Sequence, residues 1–206
     1  MTIFGKVDYS KLFELSDPLA DRPLRLEPEK GRITIEKANR LFDGECKPSN
    51  PVVLRAYMGG QATDFLWSGL PPILCISQKV VDLFTEVGFT GWKRYPVEVF
   101  DRKGELLPGY CGFAVTGKAG NHELERSQVI YRRMDEFSDQ QRKYYRGFFF
   151  DESEWDDSDI FTIKDTSFII VKRGVRDVLK HNRITNLRLT PLLEVEIDAA
   201  VFDYKK

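Results

Sequence analysis

The sequence lacks the features that mark a membrane protein or a disulfide-stabilised secreted one. None of its stretches approaches the ~18 consecutive apolar residues of a transmembrane helix, and no basic region followed by a long apolar run stands at the N-terminus. The 3 cysteines are odd in number, far apart and without a CxxC spacing, which argues against a disulfide framework or a zinc site. We therefore predict a cytoplasmic protein with no membrane partner.

Groups that could carry out catalysis are also scarce. The chain has 2 histidines, His122 and His181, and neither has a partner at a recognisable spacing. Lys118 is followed by Ala119, so the GxxxxGK[ST] phosphate loop is missing, and no GxGxxG occurs. The formal net charge of -1 gives no general attraction to nucleic acid. We predict a protein that is not an enzyme, holds no cofactor and binds no nucleic acid.

The sequence does contain an internal repeat. Residues 72–99 align without a gap with residues 167–194, at an offset of 95 residues that places Val80 on Val175. Each copy has a short apolar run, then apolar residues at helical spacing, then a second extended run. The pattern predicts two related strand-helix-strand units, and we expect both to contribute to one mixed sheet.

Helix boundary signals differ between the two copies. In the first copy Ser77 is placed as the helix N-cap and Gly88 as the glycine that ends the helix. The second copy has Arg183 in the place of Gly88. Because asparagine tolerates the left-handed conformation, we expect Asn182 to adopt it there.

These patterns predict an α+β fold with a mixed, largely antiparallel sheet and few helices. Residues 1–51 are irregular and rich in proline and glycine, and we expect an extended N-terminal segment that wraps the main body. Residues 52–206 are predicted to form a single domain. Outside the repeats we expect a short helix at residues 36–42, an extended stretch at 124–133 and a surface helix at 135–145.

The repeated stretches resemble a bacterial family, the immunity-protein-like domains of polymorphic-toxin systems, of the immunity-protein-eleven type. The two matching phrases are residues 73–96 and 159–192, and the resemblance spans roughly residues 52–195. The second phrase departs from the pattern at Lys172, where serine is usual, and at Arg183, where glycine is usual. The resemblance implies a small α+β protein that is encoded beside a secreted toxin and neutralises it by binding. It lends no catalytic residue.

An acidic run beside aromatic residues is the sharpest chemical feature. Six carboxylates occur within nine residues around Trp155. Because acidic surfaces steer basic partners and aromatic side chains anchor interfaces, we predict that this segment binds a cognate protein toxin, with Asp64 and Trp67 as a second candidate patch. The expected partner-binding residues are Phe148, Phe149, Asp151, Glu152, Glu154, Trp155, Asp156, Asp157, Asp159, Asp64 and Trp67.

Other interpretations stay open. The acidic run could be a solvated loop, or it could hold a divalent metal in a hydrolase or nuclease, although the EF-hand spacing is absent. The repeated units could instead mediate homo-oligomerisation, so that the protein is a monomer or a homodimer. Basic and tyrosine residues at 126–146 could contact phosphates, but interrupting acidic residues favour a mixed-charge surface. Since the repeats resemble scaffold, we expect function in residues 101–164 and in the N-terminal segment.

Overall fold

A computed structural model describes residues 7–29, 33–69, 72–133 and 140–203. Within these residues the chain forms an α+β fold with 4 helices and 16 strands, and most strand pairs are antiparallel. The predicted fold class is therefore confirmed. No helix in the described ranges is long and apolar enough to cross a membrane.

The helices and strands have the following bounds. The helices are α1 (Ile35–Phe42), α2 (Gln78–Val87), α3 (Arg173–His181) and α4 (Ala200–Asp203). The strands are β1 (Leu12–Ser16), β2 (Arg25–Pro28), β3 (Val52–Met58), β4 (Phe65–Trp67), β5 (Leu74–Ser77), β6 (Trp92–Tyr95), β7 (Val97–Phe100), β8 (Leu106–Leu107), β9 (Tyr110–Val115), β10 (Gly117–Ala119), β11 (Gln128–Arg133), β12 (Gln141–Arg146), β13 (Ile160–Ile163), β14 (Ile169–Lys172), β15 (Arg188–Pro191) and β16 (Glu196–Asp198).

The first repeat lies in a sheet with the strand order β4-β5-β9-β6, and α2 connects β5 to β6. Val80, Val81 and Phe84 are the buried residues of α2, and they form the apolar face that packs against the sheet. Ser77 stands at the N-cap position with extended backbone, although its side chain makes no capping hydrogen bond. The helix ends at Gly88, whose φ of 80° is left-handed.

The second repeat lies in a separate sheet, so the expectation of one mixed sheet is wrong. Its order is β10-β13-β14-β1-β15, and α3 connects β14 to β15. The register repeats as well: Phe65 pairs with Ile76 in the first sheet, and Ile160 pairs with Val171 in the second. Because both pairs are related by the same sequence offset, the two units are structural duplicates.

The N-terminal strand β1 forms a central strand in the sheet of the second unit. β9 lies between β5 and β6, and β1 occupies the equivalent place between β14 and β15. In the first sheet Gly112 lies opposite both Cys75 and Tyr95. The segment that was expected to wrap the body therefore also supplies a central strand, and its irregular sequence did not predict this.

The two units share one hydrophobic core. The opposite face of each unit's sheet covers a second hydrophobic core. Apolar side chains from both sheets and from α2 and α3 meet in the shared core, among them Phe84, Phe113 and Val171. The opposite face of the first sheet packs on α1 and on β2, β3 and β7. The opposite face of the second sheet packs on Phe148, Phe150 and Leu192. Each repeated sheet is thus buried on both sides, which suits its apolar strands.

Local expectations outside the sheets had mixed outcomes. The helix expected at 36–42 is α1, and the extended stretch expected at 124–133 includes β11. The helix expected at 135–145 is wrong from residue 141 onward, because these residues form β12, and residues 135–139 lie outside the described residues.

The end of α3 corrects a further expectation. Asn182 has a φ of -86°, and Arg183 is the residue with positive φ, at 51°. The backbone N–H and the side-chain amide of Asn182 both donate to the carbonyl of Val178, at 3.1 and 2.9 Å. These bonds keep Asn182 in the last helical turn, so the left-handed turn falls on the residue equivalent to Gly88.

Candidate functional site

Two equivalent carboxylates join the repeated units. Asp64 Oδ2 accepts hydrogen bonds from the backbone N–H and the hydroxyl of Thr185, at 2.9 and 2.8 Å. Asp159 Oδ2 accepts the same two bonds from Thr90, both at 2.9 Å. Each unit therefore holds the loop that follows the other unit's helix. Asp64 and Asp159, two of the predicted partner-binding residues, thus have a structural role at the junction between the two units. We call this junction the seam.

Lys172, the residue of the second repeat that corresponds to Ser77 in the first, attaches the acidic segment to the second sheet. In the first unit the Ser77 hydroxyl donates to Asp64 Oδ1 at 2.9 Å. At the equivalent position Lys172 Nζ lies 3.8 Å from Asp159 Oδ1 and 2.7 Å from Asp157 Oδ1. The longer side chain thus replaces a hydroxyl contact with an ion pair that reaches a further carboxylate.

Asp151 and Asp156 accept hydrogen bonds from the local backbone. Asp151 Oδ1 accepts from the hydroxyl and the N–H of Ser153, at 2.7 and 2.9 Å, and these bonds lower the pKa of the carboxyl. Asp156 accepts from the N–H groups of Ser158 and Lys118, at 3.0 and 3.1 Å. Both side chains shape the loop in the manner of capping residues.

The two glutamates of the run lie close to cations. Glu152 Oε1 is 3.5 Å from Arg126 Nη1, and Glu152 Oε2 accepts from the N–H of Val7 at 3.2 Å. Glu154 Oε2 is 3.9 Å from Lys164 Nζ, and both side chains are about half exposed. The carboxylates of the acidic segment are therefore spread over several internal contacts and do not converge on one point.

The aromatic residues of the segment belong mainly to the core. Phe148 is 1% exposed and its ring centre lies 5.0 Å from that of Phe168, so we withdraw Phe148 from the expected partner surface. Trp155 packs against the core residue Phe161, with ring centres 4.9 Å apart and ring planes tilted by 43°, and Phe149 is only half-buried. The aromatic side chains of this segment hold the acidic loop in place.

Trp67 of the second candidate patch also serves the seam. Its indole N–H donates to the carbonyl of Asn186 at 2.8 Å, and its ring stacks on Phe65. Within the described part of the chain, no group of three or more His, Cys, Asp or Glu side chains could hold a metal ion.

A groove of about 780 Å³ brings together some of the remaining polar groups. Lys118 Nζ is ion-paired with Asp43 there and lies 3.2 Å from Thr162 Oγ1. The ring of His122 packs against the ring of Phe202 at a tilt of 34°, with centres 4.5 Å apart. These contacts join β10 to α1 and the C-terminal helix to the body.

A hairpin of β11 and β12 forms an exposed surface that contains none of the predicted partner-binding residues. The two strands pair from Gln128 opposite Arg146 to Arg133 opposite Gln141, and β16 continues the sheet beside β12. Both strands are exposed along most of their length. Among the exposed large apolar side chains of the protein, Val129 and Tyr131 lie on this hairpin, at 45% and 61% exposure.

The two faces of the hairpin differ in charge balance. On one face Arg132 and Arg142 form ion pairs with Glu196 and Asp198 of β16, at 2.7 and 2.9 Å. The other face carries the cations of the opposed strands, Arg133 and Lys143, together with Val129 and Tyr131. The residue of β16 on that face is Ile197, so none of the three strands places a carboxylate there.

The sequence predicted only an extended stretch at 124–133, and the wrong expectation of a helix at 135–145 hid the strand β12 that pairs with β11. The seam was detectable, because Asp64 and Asp159 have the same 95-residue offset as the repeat.

No family model matches this chain, and no curated protein matches it either.

Proposed function

We propose that this chain is a non-enzymatic binding protein that neutralises a bacterial toxin by direct contact. The sequence support is the resemblance of residues 52–195 to immunity-protein-like domains. The structural observation that carries the proposal is the β11–β12 hairpin, which presents Val129 and Tyr131 to solvent on a scaffold with three cores. Exposed aromatic and aliphatic side chains beside arginine are typical of interface anchors.

The alternative of a metal-dependent hydrolase receives less support. It relied on the carboxylates at 151–159, and a metal site needs several of their oxygens around one point. Asp151 and Asp156 accept bonds from backbone N–H groups, and Asp159 is engaged with Thr90. Freeing these oxygens would break contacts that shape the loop and the seam.

The experiment is co-expression with a secreted-toxin gene encoded immediately beside the gene for this chain. We expect the chain to restore viability and to co-purify with the toxin domain. A catalytically inactive toxin should bind equally well, because binding does not require the toxin's chemistry. A toxin of an unrelated class serves as the control and should remain lethal. Undiminished toxicity together with no co-purification would contradict the proposal.

A further inference from the structure

We propose that the outer side of α3 binds an acidic surface of the partner protein. The site consists of three cations at helical spacing and a fourth just past the end of the helix: Arg173, Arg176, Lys180 and Arg183. We refer to these four residues as the basic stripe. The inference rests on the proposed function and deepens it, since it adds the charge that the partner presents at a surface separate from the β11–β12 hairpin.

The cations within α3 form a row on one side of the helix, because residues three or four apart lie on the same side. A Cβ at Gly174 would lie 3.8 Å from the ring of Phe89 in the first unit, so the side of Gly174 faces that unit. The row lies on the other side, where the guanidinium of Arg176 is 4.6 Å from the ring centre of Phe13 of β1. At the rise of a helix the stripe spans roughly 15 Å.

The first repeat shows that packing does not require these cations. At the offset of 95 residues, the four equivalent positions are all uncharged: Gln78, Val81, Thr85 and Gly88. The two helices occupy equivalent places beside their sheets, and each buries an apolar face in the shared core. A change to positive charge at all four positions is therefore a property of the second unit's surface and not of the fold.

Arg183 holds its charge at a position that favours glycine. Its φ is 51°, and the equivalent Gly88 has a φ of 80°, so both residues are in the left-handed region. A residue with a Cβ is strained there, whereas glycine is not. Strained residues persist where function requires their side chains, and a binding role accounts for the arginine at this position.

The described part of the protein leaves most of this charge without a carboxylate. Asp177, 3.5 Å from Arg176, is the one carboxylate there that forms an ion pair with the stripe. Arg173 donates instead to the carbonyl of Ser10, at 3.3 Å. Residues 173–183 thus hold four arginine or lysine side chains and one carboxylate, whereas the equivalent residues 78–88 hold one lysine and two carboxylates.

The carboxylates of the adjoining N-terminal segment are directed elsewhere. Asp8 lies 3.0 Å from Lys11 Nζ. Glu14 is on the other face of its sheet, since its two neighbours in β1 face the shared core. Residues 1–6, which precede this segment, contain no aspartate or glutamate. The stripe therefore favours an occupant that supplies carboxylates of its own.

A compact acidic surface fits the stripe better than nucleic acid does. Affinity for nucleic acid rises with the number of phosphates that cations contact, and the stripe supplies four cations. The end of α3 contacts α2, where Lys79 Nζ donates to the carbonyl of Asn182 at 2.9 Å. Because α2 exposes Asp82 and Glu86, a longer strand of phosphates that ran toward α2 would meet carboxylates. A partner surface with a few carboxylates avoids this repulsion.

The test gives stripe positions the residues of the first repeat and measures binding of a labelled deca-glutamate peptide by fluorescence anisotropy. The repeat-swap variant is Arg173→Gln, Lys180→Thr and Arg183→Gly, and Arg176 is kept because it covers Phe13. We expect this variant to bind the peptide about tenfold or more weakly, and about 0.5 M salt should weaken binding to the wild type. The introduced residues occur at equivalent places in the first unit, so the melting temperature should fall by no more than about 2 °C.

The matched control removes one lysine and two arginines from exposed positions of β6 and of the turn after β7: Lys93→Thr, Arg94→Gln and Arg102→Gln. It changes the net charge of the chain by the same amount and should leave peptide binding nearly unchanged. Equal weakening in the two variants, or no weakening in the repeat-swap variant, would overturn the proposal.

Two further measurements test the choice of a partner protein. Labelled single-stranded DNA of about 10 nucleotides that requires the stripe and binds the wild type more tightly than the peptide would overturn this choice. Light scattering that shows a wild-type dimer, and a monomer for the repeat-swap variant, would make a second copy of this chain the occupant and overturn it as well.

The toxin co-expression separates this surface from the proposed function. If the repeat-swap variant protects as well as the wild type and associates equally fast with the purified toxin domain, the surface is wrong and the function stands. If the wild type fails to protect while deca-glutamate binding still requires the stripe, the toxin assignment is wrong and the surface stands.

Discussion

Asp64 Oδ2 lies 2.9 Å from the backbone nitrogen and 2.8 Å from the hydroxyl oxygen of Thr185, and it accepts a hydrogen bond from each. Asp159 repeats this contact with Thr90, which stands at the position equivalent to Thr185 in the other unit. The duplicated units are therefore interlocked, because each supplies the carboxylate that orders the other's loop. Loss of either contact should loosen both units.

Replacing either carboxylate should lower the free energy of unfolding. We expect Asp64→Ala and Asp159→Ala each to cost about 2 kcal/mol, since each removes the two hydrogen bonds from the other unit's threonine to a charged, half-buried acceptor, together with the contact to Ser77 or Lys172. Urea denaturation measures the loss. Asp177→Ala, on the exposed side of α3, should change stability by less than about 0.5 kcal/mol. Unchanged stability in both seam variants would show that the seam does not hold the units together.

The two helix ends should respond in opposite directions to substitution. Gly88 has a φ of 80° and open space around its missing Cβ, so Gly88→Ala should cost about 1 kcal/mol through backbone strain alone. Arg183 has a φ of 51°, so Arg183→Gly should stabilise by about 0.5 kcal/mol. Thermal and urea unfolding of both variants check the signs. A destabilised Arg183→Gly would mean that the arginine side chain contributes more than the strain costs.

Gly91 should tolerate no side chain. A Cβ there would lie 1.9 Å from the carbonyl oxygen of Ile160, and the carbonyl of Gly91 accepts from the N–H groups of Thr116 and Gly117 at 2.8 and 3.0 Å. We expect Gly91→Ala to cost about 3 kcal/mol or more by forcing β13 away.

Gly104→Ala separates the clash at Gly91 from backbone strain. Gly104 has a φ of 85°, close to the 84° of Gly91, but nothing lies within 4 Å of the added Cβ. The Gly104→Ala substitution should therefore cost only about 1 kcal/mol. Equal losses in the two urea titrations would rule out the close approach to Ile160 as the cause.

Glu14 should make stability depend on pH. Burial raises the pKa of this carboxyl above its ordinary value of 4.5, and the nearby charge of Arg188 offsets the increase in part. The folded protein therefore binds the proton more tightly than the unfolded chain, so stability falls as pH rises from the unfolded pKa through the folded one.

The neutral variant Glu14→Gln removes this penalty. It should be more stable than the wild type at about pH 7 and nearly equal to it at about pH 4, as measured by urea denaturation at each pH. A stability difference that stays constant between these two conditions would show that Glu14 is not the titrating group.

Local sequence signals predicted the repeated elements well. The apolar spacing of α2 and the glycine at its end act within a few residues, so they could be read without the fold. Pro96 likewise marks the point where β6 ends and β7 joins another sheet. The position of β1 could not be predicted, because its partners β14 and β15 are more than 150 residues away in the sequence.

The candidate site shows the same division. The sequence by itself determined the duplication, the α+β class and the composition of the acidic segment, since these follow from residue type and spacing. Only the tertiary structure decided that Asp159 orders Thr90, that Phe148 is buried and that Tyr131 is exposed. The sequence shows the same carboxylate or aromatic residue whether its side chain makes a core contact or lies on an open surface. Its role depends on which distant residues the fold brings beside it.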